Sequence, residues 1–229
     1  MSARPPRRAP VFALPSRAPE VALPRRAPEF ALPREVRLIG GQWKRSKLPV
    51  IDRPGLRPTP DRVRETLFNW LGQDLNGWRV LDAFAGSGAL GFEAASRGAA
   101  EVTLLERDAT LVASLQASRA RLGATAVRVE RADALLWMAR CTPQRFDLVL
   151  LDPPFDAGLS GPALAAAARL VAAGGFVYLE SGQPPTTWPP GLQLHRTARA
   201  GAVHSQLFLQ SAESDRTTLA PPTPQEEAK

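Results

Sequence analysis

Between Trp78 and Ser181 five short apolar runs alternate with four helical segments, and this alternation limits the fold more than any other feature of the chain. The runs 78–83, 101–106, 126–130, 146–151 and 175–181 read as strands, and 88–97, 108–121, 132–139 and 160–173 as helices. Strands separated by helices require crossover connections, and so a parallel sheet covered on both faces. Two further extended runs, 192–198 and 202–210, meet through Ala200-Gly201 as a hairpin. The expected fold is therefore α/β: seven strands, mostly parallel, ending in an antiparallel hairpin. Upstream, Val36 to Val50 reads as a short extended segment. Thr59-Pro60-Asp61 then carries helix-start chemistry: a capping hydroxyl, proline at the first position and an acid in the first turn. Val63, Leu67, Trp70 and Leu71 would form its apolar face.

The 229 residues suit one domain with tails. A body from residue 35 to residue 210 can bury on the order of 70% of its unfolded surface, so it needs no disulfide or metal staple. A lone cysteine, Cys141, fits a reducing compartment, and with only two histidines besides, no metal site is expected. No run approaches the ~20 apolar residues of a membrane span, nor a secretory signal, so the expectation is a cytoplasmic protein; a monomer is expected, although nothing in the sequence fixes the oligomeric state. Residues 1–34 contain a near-repeat of nine, beginning at Arg8, Arg17 and Arg26, with prolines too dense for helix or sheet. That arm and the polar residues 211–229 are expected to be disordered. The net charge of +7 is unevenly placed: residues 1–70 hold 15 Lys and Arg against 6 Asp and Glu. Such a basic segment on a near-neutral body suits a phosphate-backbone partner, or is a solvated tail.

Val80-Leu-Asp82-Ala-Phe-Ala-Gly86-Ser-Gly88-Ala-Leu-Gly91 is a strand, a glycine turn and a helix start, with Glu106 closing the next strand. The spacing also matches a dinucleotide fingerprint. Charge separates the two readings. A pyrophosphate needs the helix N-terminus free of anions, but Asp82 leads into this turn and Asp152 should lie at the tip of a neighbouring strand. S-adenosylmethionine, which lacks phosphate and carries an ammonium and a sulfonium, suits those carboxylates. The candidate donor-binding set is Asp82, Ala83, Phe84, Gly86, Ser87, Gly88, Glu106, Arg107, Asp133 and Ala134. Glu106 would accept both ribose hydroxyls. Gly86 and Gly88 would let the main chain approach the methionine moiety. Asp82 would pair with the donor's ammonium, directly or through water. Asp133 would meet the adenine amine, or serve only as a helix N-cap.

Asp152-Pro153-Pro154-Phe155 ends the apolar run from Phe146. A carboxylate, two rigid prolines and an aromatic ring at a strand tip can hold a flat polar group. Asp152 and the Pro153 carbonyl would accept hydrogen bonds from an exocyclic base amine. Phe155 would stack on the base, an interaction worth ~1–3 kcal/mol. The target base must be unstacked or already exposed to reach this pocket. Whether Asp152 also takes the amine proton is left open, as is the identity of the base. Guanine N2 and adenine N6 both fit, and a non-catalytic RNA-binding assembly factor would use the same fold as a scaffold.

Four segments together carry a resemblance: Arg37-Leu-Ile-Gly-Gly-Gln-Trp-Lys-Arg-Ser-Lys-Leu-Pro, Gly55-Leu-Arg-Pro-Thr-Pro-Asp-Arg-Val-Arg-Glu-Thr-Leu-Phe-Asn-Trp-Leu, Asp82-Ala-Phe-Ala-Gly-Ser-Gly-Ala-Leu-Gly and Asp152-Pro-Pro-Phe. Over about residues 36–210 the chain resembles the RsmD family, the bacterial 16S rRNA (guanine(966)-N2)-methyltransferases. The resemblance implies a Rossmann-like class I methyltransferase fold and S-adenosylmethionine as donor. It implies the N2 amine of one guanine as acceptor, within the small ribosomal subunit or its assembly intermediate. By the same likeness Arg37, Lys44, Arg45, Lys47, Arg57, Arg62 and Arg64 would grip RNA, with the segment around Thr59 helping to cover the donor. The nonapeptide arm is outside the family pattern, and the segment Gly201 to Leu207 matches it loosely.

Overall fold

The structure, a computed structural model, describes residues 35–51 and 59–211. The N-terminal arm, Arg57 and the C-terminal tail, for which disorder or RNA contact was expected, lie outside the described residues. In chain order the strands are β1 (Glu35–Arg37), β2 (Lys47–Pro49), β3 (Arg79–Asp82), β4 (Glu101–Glu106), β5 (Val127–Arg131), β6 (Phe146–Leu151), β7 (Val171–Ser181), β8 (Leu192–Ala200) and β9 (Val203–Gln210). The α-helices are α1 (Asp61–Trp70), α2 (Ala89–Ser96), α3 (Ala109–Leu122), α4 (Ala134–Arg140) and α5 (Ser160–Leu170).

Strands β3 to β9 form one sheet in the order β5-β4-β3-β6-β7-β9-β8. Pairings from β5 across to β7 are parallel, and β9 joins β7 and β8 antiparallel. The chain leaves β3 toward β4 and β5, then returns to the other side for β6 and β7. This reversal opens a crevice beyond the carboxyl ends of β3, β4 and β6, where ligands bind in open α/β sheets.

Alternation along each strand sends residues into two cores. Val80, Leu104, Leu148, Leu150, Tyr178 and Leu207 pack with Leu67 and Phe68 of α1, Phe92 of α2 and Leu115 of α3. Leu81, Leu105, Val149, Leu151, Val177 and Phe208 pack with Met138 of α4 and with Leu164 and Ala167 of α5. The expected extended segment 36–50 is a small hairpin of β1 and β2, with Leu38 and Leu48 fully buried in the first core. Helix α5 ends three residues before the sequence pattern suggested. Val171 already pairs with Phe146, and a shift in register before Leu148 and Phe176 accommodates Gly174 at φ +75°.

Two local readings are corrected. Thr59 was expected to cap α1, but Pro60 occupies the cap and no side chain caps the helix. The Thr59 hydroxyl instead points to Asp152 Oδ2, 3.4 Å away. Arg64, expected to grip RNA, is fully buried. Its guanidinium donates to the carbonyls of Arg37 (2.8 Å) and Thr59 (3.3 Å), to Asp61 Oδ1 (2.6 Å) and to Glu93 Oε2 (3.5 Å). Glu93 in turn accepts from the Ile39 and Gly40 amides, at 2.8 Å each, and from Arg97. The hub ties the β1–β2 hairpin and α1 to the helix that follows the glycine loop.

Candidate active site

Asp82 is the last residue of β3, and the chain then turns through Gly86 (φ +52°) and Gly88 (φ +80°) into α2. Helix α2 packs tightly on the sheet because Gly91 lacks a side chain. A Cβ there would approach Leu104 Cδ2 to 2.2 Å. The Gly91 amide donates to Asp82 Oδ2 at 3.0 Å, holding that carboxylate at the crevice floor. Glu106, at the tip of β4, accepts from the amides of Gly86 (3.0 Å) and Asp108 (2.9 Å). One carboxylate thus fixes the glycine loop against the neighbouring strand. Asp133 caps α4 by accepting from the Leu136 amide at 3.0 Å, and it also lines the crevice.

The crevice measures about 560 Å³, within the range of small-ligand pockets. Its lining includes Thr59, Asp82, Ala83, Phe84, Gly86, Ser87, Glu106, Arg107, Asp133, Ala134, Asp152, Pro153, Pro154 and Phe155. One expected donor-side residue does not line it. Gly88 turns inward, where a Cβ would meet Leu115 and the Phe92 ring at 2.6 and 2.7 Å. Packing and a left-handed backbone, rather than approach to a ligand, account for glycine at that position.

Strand β6 delivers Asp152 to the crevice, with Pro153 buried and Pro154 exposed behind it. Phe155 opens a single 3-10 turn and leaves 43% of its surface exposed. Its ring lies over Gly182, where a Cβ would come within 3.4 Å of it. An aromatic face open to solvent beside a carboxylate is a poor core element and a good stacking platform.

The electrostatics are one-sided. Burial pushes Asp82 up to about 7, with Glu106 adding to the rise and the Gly91 amide opposing it. Asp152 is held well above the usual carboxylate range by burial, then by the charges of Glu180 and Asp82, while the Thr59 hydroxyl works the other way. Glu180, near the end of β7, is also pushed up to about 7 by burial. Sequence reading passed over Glu180. Its signal was there, an acid near the tip of a strand beside Asp-Pro-Pro-Phe, but nothing in one dimension shows that these strands adjoin. Three buried or half-buried carboxylates in one region, against a single lining cation among the described residues, the exposed Arg107, favour a cationic occupant and disfavour phosphate.

Of the proposed RNA contacts, Lys44, Arg45, Lys47, Arg37 and Arg62 are exposed. Arg37 lies 3.4 Å from Asp61, and Lys47 lies 2.7 Å from Glu35. Such exposed pairs are weak enough to yield to a phosphate.

The family model described as conserved hypothetical protein 95 matches residues 36–209. The ribosomal RNA small subunit methyltransferase D of Escherichia coli is 43% identical over 192 residues, covering 79% of this chain and 93% of that protein. The chain belongs to the RsmD family. The Haemophilus influenzae protein of the same name is 38% identical over 180 residues, with 76% of this chain and 93% of that one covered. The solved structure of yhhF from Escherichia coli superposes with a TM-score of 0.70 at 40% identity, spanning 78% of this chain and 99% of that one. RsmD relatives share the class I methyltransferase sheet described above, so the crevice lies where that fold places its ligands.

Proposed function

We propose that this RsmD-family protein transfers a methyl group from S-adenosylmethionine to the N2 amine of a guanine in 16S ribosomal RNA. The acceptor would be the small subunit or its assembly intermediate, in the cytoplasm. The observation that carries the reading is Asp152, a half-buried strand-tip carboxylate flanked by an exposed Phe155 and facing an acidic, phosphate-averse crevice. The relatives' name, ribosomal RNA small subunit methyltransferase D, supports the acceptor class.

The residues present fit the donor. Asp82 would hold its ammonium, Glu106 its ribose hydroxyls and Asp133 its adenine amine, with the Gly86 backbone against the methionine chain. When bound, S-adenosylmethionine supplies an electrophilic methyl whose sulfur departs with the bonding pair. The protein's task is then alignment, worth up to ~7–11 kcal/mol of a barrier. Asp152 and the Pro153 carbonyl accept the two N–H bonds of the amine, turning its lone pair toward the methyl. Phe155 stacks on the base and keeps it flat in the pocket. Asp152, already a stronger base than an ordinary carboxylate, receives the proton that the amine loses as its bond to carbon forms.

Incubation with tritiated donor and small subunits, followed by digestion to nucleosides, tests the proposal. Label in N2-methylguanosine is the expected result. Label in N6-methyladenosine would move the acceptor to adenine, and no label would leave a binding scaffold.

A further inference from the structure

A buried carboxylate that the mechanism above does not use stands beside the acceptor pocket. Glu180 is 2% exposed. Leu179 of β7 pairs with Leu151 of β6, so the next row sets Glu180 beside Asp152, and on the other side it pairs with Ser205 of β9. Glu180 Oε1 accepts from the Tyr178 hydroxyl at 2.9 Å, and that hydroxyl lies 3.1 Å from Ser205 Oγ. Two residues before α1, the Thr59 hydroxyl serves both acids: it lies 3.4 Å from Asp152 Oδ2 and works against the rise of Glu180. The other charged groups facing this pair are Asp82 on β3, with Glu106 of β4 beyond it, and Arg64 on α1. Arg64 is already engaged by Asp61, Glu93 and two carbonyls. His204 belongs to the next row, opposite Ser181.

We propose that Glu180 is a positioning residue for methyl transfer, fixing through the Thr59 hydroxyl the orientation and proton occupancy of Asp152. The inference rests on the function proposed above and deepens it. Two carboxylates that share one hydroxyl in a desolvated site do not both ionise without a large penalty, so the pair keeps one proton. With that proton on Glu180, the chain runs from the Glu180 O–H to Thr59 Oγ1, and from the Thr59 O–H to Asp152. Tyr178 satisfies the remaining oxygen of Glu180 and holds it in place. Asp152 is then ionised, aimed and able to accept the amine N–H, and later its proton.

The test is the pH profile of single-turnover methylation of small subunits at saturating donor, from about pH 5 to 9. Glu180→Gln reproduces the protonated acid, accepting from Tyr178 and donating to Thr59, so the acid limb should stay near the parent midpoint, whereas Glu180→Leu leaves the Thr59 hydroxyl unoriented and should move the limb to higher pH. Thr59→Val removes the donated hydrogen bond, so the acid limb should move to higher pH. A purely structural role would lower the melting temperature or plateau rate and leave the Glu180→Leu and Thr59→Val midpoints at the parent value, which would overturn the inference. Should Glu180→Leu fail to fold, an unmoved midpoint in Thr59→Val alone would do so. The parent enzyme separates the two levels of argument. No N2-methylguanosine from it defeats the proposed function, whereas normal product with unmoved midpoints defeats only the role of Glu180.

Discussion

Two groups of buried charge lie on the same side of the sheet, and they solve opposite problems. In the hub, Arg64 and Glu93 are fully buried, yet hydrogen bonds from main chain and side chain engage both. At the crevice, Asp82 and Glu180 are buried and Asp152 half-buried, supported by hydroxyls and amides, with Arg64 of the hub acting on Glu180 from a distance. The first arrangement is closed and locks a hairpin and two helices together. The second is short of positive charge and awaits a ligand that brings it. Buried charge by itself therefore says little about function, and the sign of what surrounds it says a great deal.

The comparison breaks most visibly at Asp152. Asp152→Ala should lower methyl transfer by about a thousandfold or more while donor affinity changes little. Normal turnover in a filter assay would remove this carboxylate from the chemistry. In the hub the effect should be on stability instead. Arg64→Ala leaves Glu93 buried without its partner and should destabilise the fold by about 3–5 kcal/mol, read by urea unfolding. A mutant that melts normally but loses RNA affinity would restore the surface role expected from sequence.

The crevice should also be pH-sensitive in a defined direction. Asp82 and Glu180, both near 7, bind protons that an unfolded Asp or Glu has already released. These groups therefore favour the ligand-free fold at low pH, and their contribution is lost as pH rises from about 4 through 7. A cationic donor prefers the ionised Asp82, so its affinity should rise with pH by up to ~10-fold between about pH 6 and 8, with a proton released on binding. Calorimetry in buffers of different ionisation enthalpy measures that release, and proton uptake would contradict the assignment. The smallest effect belongs to the surface. Replacing Arg45 and Lys47 by Gln should raise the KM for subunits a few-fold, reduce its salt dependence and leave the melting temperature nearly unchanged. Equal KM at low and high salt would place the RNA elsewhere.

Much of this was visible in one dimension, for reasons particular residues make plain. Val80 to Gly91 and Phe146 to Phe155 announce a strand, a turn and an acid because the signal is local: period, glycine and proline act on their own neighbours. Glu106 was legible by its distance from the glycine turn. Arg64 was not, because an arginine in a basic N-terminal segment reads as an RNA contact until Glu93, 29 residues later in the chain, is folded against it. Thr59 misled for a similar reason. Its hydroxyl beside Pro60 fits a cap, but Asp152 attracts it from 93 residues away.

The sequence alone determined the alternation of strands and helices, the crevice that such a sheet opens, and the strand-tip acids that line it, since each follows from short-range pattern. Only the tertiary structure decided which charges are paired. That depends on strand order and register, which set Glu180 beside Asp152 and Glu93 beneath Arg64. Electrostatic energy varies with distance and local dielectric, and neither is a property of position along a chain.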